Sequence, residues 1–151
     1  MASSSLNRKL IFDEIRKSWV KATPEEQVRQ QWIQRMVHLL GYPKELLVVE
    51  KGIGELPHLA ATQVPNRRLD ILCYGKVGSL FPLLLIECKD LPLSEGALNQ
   101  VIGYNHFVKA PFVATVNLRE VQLGIFDEAK NQYQFCPFLP SYKELMQWVT
   151  R

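Results

Sequence analysis

The clearest periodic pattern in the chain predicts an amphipathic helix that begins after Thr23. The segment TPEEQVRQQWIQRMVHLLGYP repeats apolar residues at intervals of three and four, as one face of a helix requires. Thr23 suits the N-cap, Pro24 suits the first helical position, and Glu26 completes a capping box. Gly41 and Pro43 end the pattern, so we expect one helix between these signals.

Strand patterns fill the middle of the chain. The segments ELLVVEKG (45–52), RLDILCY (68–74) and LFPLLLIECK are rich in branched residues, and the third is apolar on both faces, which is typical of a central strand. GKVGS (75–79) predicts a turn, and PFVATVNL and VQLGIFDE predict two further strands. Further helices are predicted over Leu6–Val20, Ser94–Val108 and Ser141–Val149. This order predicts an α/β fold in which helices flank a central mixed β-sheet.

Length and composition narrow the class of protein. A chain of 151 residues that is 47% hydrophobic and 22% charged is typical of one soluble domain. We expect an N-terminal helix or arm over 1–22, a core over 23–130 and a C-terminal segment over 131–151. No apolar run has the length of a membrane span and the first residues lack a secretory pattern, so we expect a cytoplasmic protein.

The predicted N-terminal arm is rich in basic residues, within a chain of net charge +3. The pattern fits an arm that attracts phosphate, or the solvated face of a helix, and the second interpretation is the simpler one. The residues are Arg8, Lys9, Arg16, Lys17 and Lys21.

Two predicted strands bring carboxylates together. Glu87 and Lys89 are two positions apart, so they share a face of their strand. Asp70 lies opposite Glu87 if the strands form a hairpin centred between Gly78 and Ser79. The β-carbons of such opposed residues are about 5 Å apart, and like charges at that distance destabilise the sheet unless a positive group lies between them.

A divalent cation resolves this repulsion. Magnesium binds carboxylate oxygens and water, and such an ion can polarise a phosphodiester and activate a water molecule. In that arrangement Lys89 stabilises negative charge. The alternative is structural: Asp70 caps a strand end, while Glu87 and Lys89 are solvated neighbours. The short pattern alone does not decide between the two.

The sequence resembles a known nuclease family. NRRLDILCY followed by LLLIECK is similar to the PD-(D/E)xK nuclease signature, with Leu69 in place of the proline. Gln100 and Tyr104 match a QxxxY spacing found in a subset of these nucleases. From about Ile11 to Asp127, the blocks follow the order seen in the N-terminal nuclease domain of type I restriction enzyme R subunits. The resemblance implies a restriction-endonuclease-like core.

The resemblance also implies roles for individual residues. Asp70 and Glu87 would hold Mg²⁺, or Mn²⁺ in its place, and Lys89 would be the catalytic lysine. Gln100 would orient the substrate phosphate or the metal shell.

The family carries one more carboxylate, on its first core helix. Glu25 and Glu26 both match that block, and the match does not separate them. Steps of 100° per residue place Glu25 within the apolar arc of the helix, and Glu26 already has a capping role, so helix geometry favours Glu25.

Two departures from the family pattern change the expected function. The strand after the QxxxY helix continues through Asn117 without the glycine that often follows in the family. R subunits also contain an ATP-driven motor, whereas this sequence has no GxxxxGK[ST] phosphate loop. We therefore expect a magnesium-dependent nuclease that acts on DNA. It would work as a stand-alone protein, as a homodimer, or with a motor or specificity subunit in trans. The alternative is a nucleic-acid-binding or assembly module that keeps the fold without catalysis.

Overall fold

In the computed structural model, which describes residues 9–59 and 63–151, one mixed sheet forms the centre of the protein. The strands are β1 (Leu10–Asp13), β2 (Ser18–Lys21), β3 (Leu47–Gly52), β4 (Arg68–Val77), β5 (Ser79–Cys88), β6 (Phe112–Val116), β7 (Val121–Asp127) and β8 (Gln132–Cys136), and the helices are α1 (Pro24–His38), α2 (Glu95–Val108) and α3 (Tyr142–Val149). Strands β3 to β8 form the central sheet in chain order. Only the β5–β6 pair is parallel, because α2 connects these two strands. The predicted α/β fold is confirmed.

The predicted helix over Leu6–Val20 is wrong where the structure describes it, from residue 9 onward. Strands β1 and β2 form an antiparallel hairpin there. The side chain of Asp13 accepts hydrogen bonds from the backbone nitrogens of Ile15 and Arg16, at 2.7 and 3.1 Å. Such local bonds compete with helix formation, and Lys17, with φ of 53°, completes the turn.

The helix α1 begins as predicted. The Thr23 hydroxyl accepts a hydrogen bond from the Glu26 backbone at 3.2 Å, and Pro24 occupies the first turn. The reciprocal capping-box bond is absent, because the Glu26 carboxylate binds the guanidinium of Arg16 instead, at 2.6 Å. Gly41, with φ of 72°, turns the chain away after the helix ends.

The helices cover both faces of the sheet. Helices α1 and α3 pack on one face, where Trp32, Ile33, Met36 and Leu145 contact sheet residues such as Ile71 and Ile86. Helix α2 packs on the other face through Val101 and Val108, against Leu72 and Leu85. Within residues 9–59 and 63–151, no helix has the length and apolar character needed to cross a membrane.

The hairpin of β4 and β5 sets the register of the site. It turns at Gly78, with φ of 73°, and Val77 pairs with Ser79, so the turn is tighter than predicted. A bulge then leaves Leu83 without a partner in β4. Pro82 lies at this bulge and has no backbone N–H to donate to a regular ladder. Because the bulge shifts the pairing by one residue, Ile71 faces Ile86, and continuing this register places Asp70 opposite Glu87 as predicted.

Candidate active site

Asp70 and Glu87 lie side by side on the neighbouring inner strands β4 and β5, near the start of β4 and the end of β5. Both are buried, with only 6% and 5% of their surface exposed. One Asp70 oxygen, Oδ2, accepts a hydrogen bond from the backbone of Cys88 at 2.7 Å. Beyond the end of β5, the Lys89 backbone donates to the Val116 carbonyl at 2.8 Å, which fixes the lysine directly after the carboxylates.

The Glu87 carboxyl is electrostatically the most unusual group in this cluster. Burial, together with the charge of Asp70 and a hydrogen bond shared with it, raises the pKa of Glu87 to about 9. Its Oε1 atom is buried and has no hydrogen-bond partner within the described ranges. Glu87 therefore holds its proton to a higher pH than an ordinary glutamate does.

The QxxxY residues of α2 hold Lys89. The Lys89 ammonium donates to the side-chain oxygen of Gln100 at 2.7 Å, and the Gln100 amide nitrogen donates to the Tyr104 hydroxyl at 2.8 Å. These two hydrogen bonds link the lysine to α2. In this arrangement, Gln100 orients the lysine directly.

The two candidate carboxylates of α1 have different surroundings. Glu26 is buried, and Arg16 and Arg29 both bind its carboxylate. Glu25 is exposed, yet burial of its carboxyl and the charge of Asp70 raise its pKa, while the nearby Lys89 opposes that rise. The charges of Asp70 and Lys89 that act on Glu25 place it near the candidate site. The expectation that Glu25 lies within the apolar arc of the helix is wrong, because Glu25 is exposed and Glu26 is the buried residue of the pair.

The sequence pattern did not reveal the role of Arg29. This buried residue of α1 binds Asp70 at 2.5 Å, Glu50 at 2.7 Å and Glu26 at 2.8 Å. The signal that could have found it is its position, one turn before Ile33 on the buried face of an amphipathic helix. A charged residue at such a position needs buried partners of opposite sign.

A comparison with known families decides the classification. The family model that describes the type I restriction enzyme R protein N terminus matches residues 24–140 of the sequence. The chain belongs to this family. The match runs from α1 past β8 and confirms the resemblance predicted from the motifs. No curated protein and no solved structure matched the chain.

The family-matched range contains a cleft whose lining residues adjoin the candidate residues in sequence, although none of the candidate residues lines it. The cleft has a volume of about 490 Å³ and is lined by Pro24, Asp90 and Asn117 among others. Pro24 directly precedes Glu25, and Asp90 directly follows Lys89. The Asn117 side chain accepts from the backbones of Arg119 and Glu120 at 2.9 and 2.7 Å, so the loop is ordered without the glycine often seen in the family.

The donors present fit a magnesium ion. Within residues 9–59 and 63–151 there is no cluster of three or more His, Cys, Asp or Glu side chains arranged for a metal. Magnesium needs fewer, because it commonly binds one or two carboxylates and fills its other positions with water and phosphate oxygens. Asp70 and the unpartnered Oε1 of Glu87 supply such a pair.

Proposed function

We propose that the chain is a magnesium-dependent nuclease that hydrolyses phosphodiester bonds, with DNA as its substrate. The observation that carries the proposal is the pairing of two buried carboxyls, Asp70 and Glu87, with an ammonium group directly after them. Membership of the R protein N-terminal family supports a DNA-related role.

Each residue has a distinct role in this mechanism. Asp70 and Glu87 would hold the ion, which when bound polarises the phosphodiester and lowers the pKa of a water molecule. The backbone N–H of Cys88 fixes the orientation of Asp70 before any ligand arrives. To hold the ion, Glu87 would have to be ionised, and its proton would pass to solvent. Lys89, held by Gln100, neutralises the charge that develops on the phosphate.

A second candidate function has one observation in its favour. Arg29 already supplies a positive charge to Asp70, so part of the repulsion between the carboxyls is relieved without a metal. A binding or assembly module could keep this fold for its surface alone. Such a module would bind DNA through phosphate contacts that weaken with salt, and its affinity would not depend on Glu87.

Cleavage of DNA by the purified chain, with Mg²⁺ or Mn²⁺ and with EDTA, tests the proposal. The variants Asp70→Asn, Glu87→Gln and Lys89→Met change charge with little change in shape. We expect each to lower the cleavage rate at least about 100-fold. Glu128→Gln and Lys130→Met are matched controls on exposed residues and should cleave normally.

DNA binding measured on the same samples separates the two candidate functions. Binding that persists at low salt, without metal-dependent cleavage in the parent chain, would favour the binding module. Circular dichroism spectra of the variants show whether a lost activity reflects the site or a lost fold.

A further inference from the structure

The guanidinium of Arg29 is surrounded by three carboxylates. Its Nη2 atom binds Asp70 Oδ1 at 2.5 Å and Glu50 Oε1 at 2.7 Å, and its Nη1 atom binds Glu26 Oε1 at 2.8 Å. Only 5% of the Arg29 surface is exposed. Three acidic oxygens around one buried centre repel one another, and Arg29 is the cation that contacts all three, while Arg16 binds Glu26 from outside.

The backbone at Glu50 supports this arrangement. Glu50 has φ of 55°, a left-handed conformation that is unfavourable for a glutamate. The β3–β4 pairing also skips Glu50, because Val49 pairs with Ile71 and Lys51 with Leu69. A conformation of this kind persists only where the surroundings fix it. Here Arg29 binds the Glu50 side chain at 2.7 Å, and Arg68 lies 3.9 Å from its other oxygen and donates to its backbone carbonyl at 3.0 Å.

Asp70 thus faces two different surroundings. On the side of α1, its Oδ1 atom accepts a hydrogen bond from the Arg29 guanidinium. On the other side, the Asp70 carboxyl shares a hydrogen bond with Glu87. A guanidinium in contact with all three oxygens leaves no room among them for a metal ion, which would need to approach to about 2.1 Å. The Glu87 side has no such fixed cation.

We propose that Arg29 is a resident cation that takes the place of a second divalent ion, so that the protein binds one ion only, between Asp70 and Glu87. The inference rests on the proposed function, since it takes these two carboxyls as the metal ligands. Arg29 is a positioning residue: it fixes Asp70 and does not touch the substrate. Arg16 in turn fixes Glu26, the third partner of Arg29.

The number of Mn²⁺ ions bound per chain tests the proposal, by calorimetry and by electron paramagnetic resonance of free Mn²⁺. The parent chain should bind one ion. Arg29→Gln empties the space between three carboxylates and should bind two ions, whereas Arg29→Lys keeps the charge and should bind one. Arg35→Gln, on the same helix, is the matched control and should bind one. Two ions in the parent chain, or one ion of unchanged affinity in Arg29→Gln, would overturn the inference.

A second pair of variants keeps the test decisive if Arg29→Gln does not fold. Glu50→Gln alters only the Arg29 side, and its side chain is partly exposed, so we expect its Mn²⁺ affinity to stay within about twofold of the parent. Glu87→Gln should bind at least about tenfold more weakly. A tenfold loss in Glu50→Gln would make Glu50 a metal ligand and refute the role of Arg29.

These outcomes separate the inference from the proposed function. If the parent chain binds one ion and Glu50→Gln binds it weakly, only the inference fails. If neither the parent chain nor any variant binds Mn²⁺, both the magnesium-dependent mechanism and the role of Arg29 are refuted.

Discussion

Glu26 and Glu87 are two glutamates with the same burial and opposite electrostatic states. Their exposed fractions are 6% and 5%. Burial raises the pKa of both carboxyls, but at Glu26 the hydrogen bonds from Arg16, Arg29 and Gln30 outweigh burial and lower the pKa. At Glu87 the charge of Asp70 adds to burial, and the pKa rises to about 9.

Because burial raises both pKa values, it is the fixed cations at Glu26 and the charge of Asp70 at Glu87 that send the two carboxyls in opposite directions. Glu26 has two guanidinium partners and is part of the structure. Glu87 has Lys89 as its only attractive charge among the main influences on its pKa, and its Oε1 atom has no partner. A buried acid with an unpartnered oxygen and a strongly raised pKa is a candidate functional site. Four substitutions test this contrast, and they follow in order of expected effect.

The largest effect is expected when Arg29, the buried cation bound to Glu26, is removed. Arg29→Met should lower the free energy of unfolding by about 3–5 kcal/mol, because it leaves buried carboxylates without compensation. Urea denaturation measures the loss. Arg35→Met is the control, since Arg35 only stacks on Trp32 at 4.8 Å and should lose less than about 1 kcal/mol. Equal losses in both variants would show that the three carboxylates around Arg29 are not organised by it.

The next effect concerns pH. The pKa of Glu87 is about 9 when folded, above its ordinary value of 4.5, so the folded state binds the proton more tightly than the unfolded state. This contribution to stability is complete below about pH 4.5 and is lost as the pH rises toward 9. Without divalent ions, the free energy of unfolding of the parent chain should therefore fall by about 2–3 kcal/mol between pH 6 and 8 because of Glu87. This fall should be absent in Glu87→Gln.

Urea denaturation in EDTA at several pH values gives the comparison. Glu26→Gln is the matched variant of the same residue type, and because the pKa of Glu26 is lowered, its contribution disappears only in acid. Its stability between pH 6 and 8 should follow the slope of the parent chain. A parent chain whose stability does not fall over this range would contradict the neutral state of Glu87.

A smaller loss is expected when only one of the two guanidinium partners of Glu26 is removed. Arg16→Met breaks the bonds to Asp13 and Glu26, at 2.5 and 2.6 Å, but Arg29 still holds Glu26. We expect a loss of about 1–3 kcal/mol by thermal or urea unfolding. Lys17→Met, on the exposed turn of the same hairpin, should be nearly neutral. A loss as large as that of Arg29→Met would mean that the hairpin supports more of the fold than this contact.

The smallest effect concerns the lysine beside Glu87. Gln100→Ala removes the acceptor that holds Lys89, at 2.7 Å. If the proposed function is correct, the cleavage rate should fall about tenfold while Mn²⁺ affinity stays unchanged. Asn99→Ala, on the exposed face of the same helix, is the control. Unchanged cleavage in Gln100→Ala would show that Lys89 needs no support from α2.

The sequence predicted elements with strong local signals and failed where tertiary contacts decide. Helices α1, α2 and α3 begin after the caps Thr23, Ser94 and Ser141, because each cap is a local interaction. The β1–β2 hairpin was missed, since its four-residue strands give too short a pattern to exclude a helix. Strand β8 was also missed: polar and aromatic residues alternate in QYQFC, at the exposed edge of the sheet.

The candidate site was predictable only in part for the same reason. The motif predicted the opposition of Asp70 and Glu87, but through a hairpin centre that the structure corrects: the turn lies at Gly78, and the bulge at Leu83 restores the register. The tertiary partner of Asp70 was not predictable from spacing, because Arg29 lies 41 positions away. No local pattern joins the two residues.

The family match begins at Pro24, yet the chain of ion pairs that reaches Asp70 begins at Asp13. These ion pairs therefore connect the β1–β2 hairpin to the site, although the hairpin lies outside the matched range. A chain shortened to that range would keep every motif residue and lose Arg16, the outer cation of Glu26. In this protein the network that neutralises the buried charges extends beyond the range over which the family is recognisable from sequence.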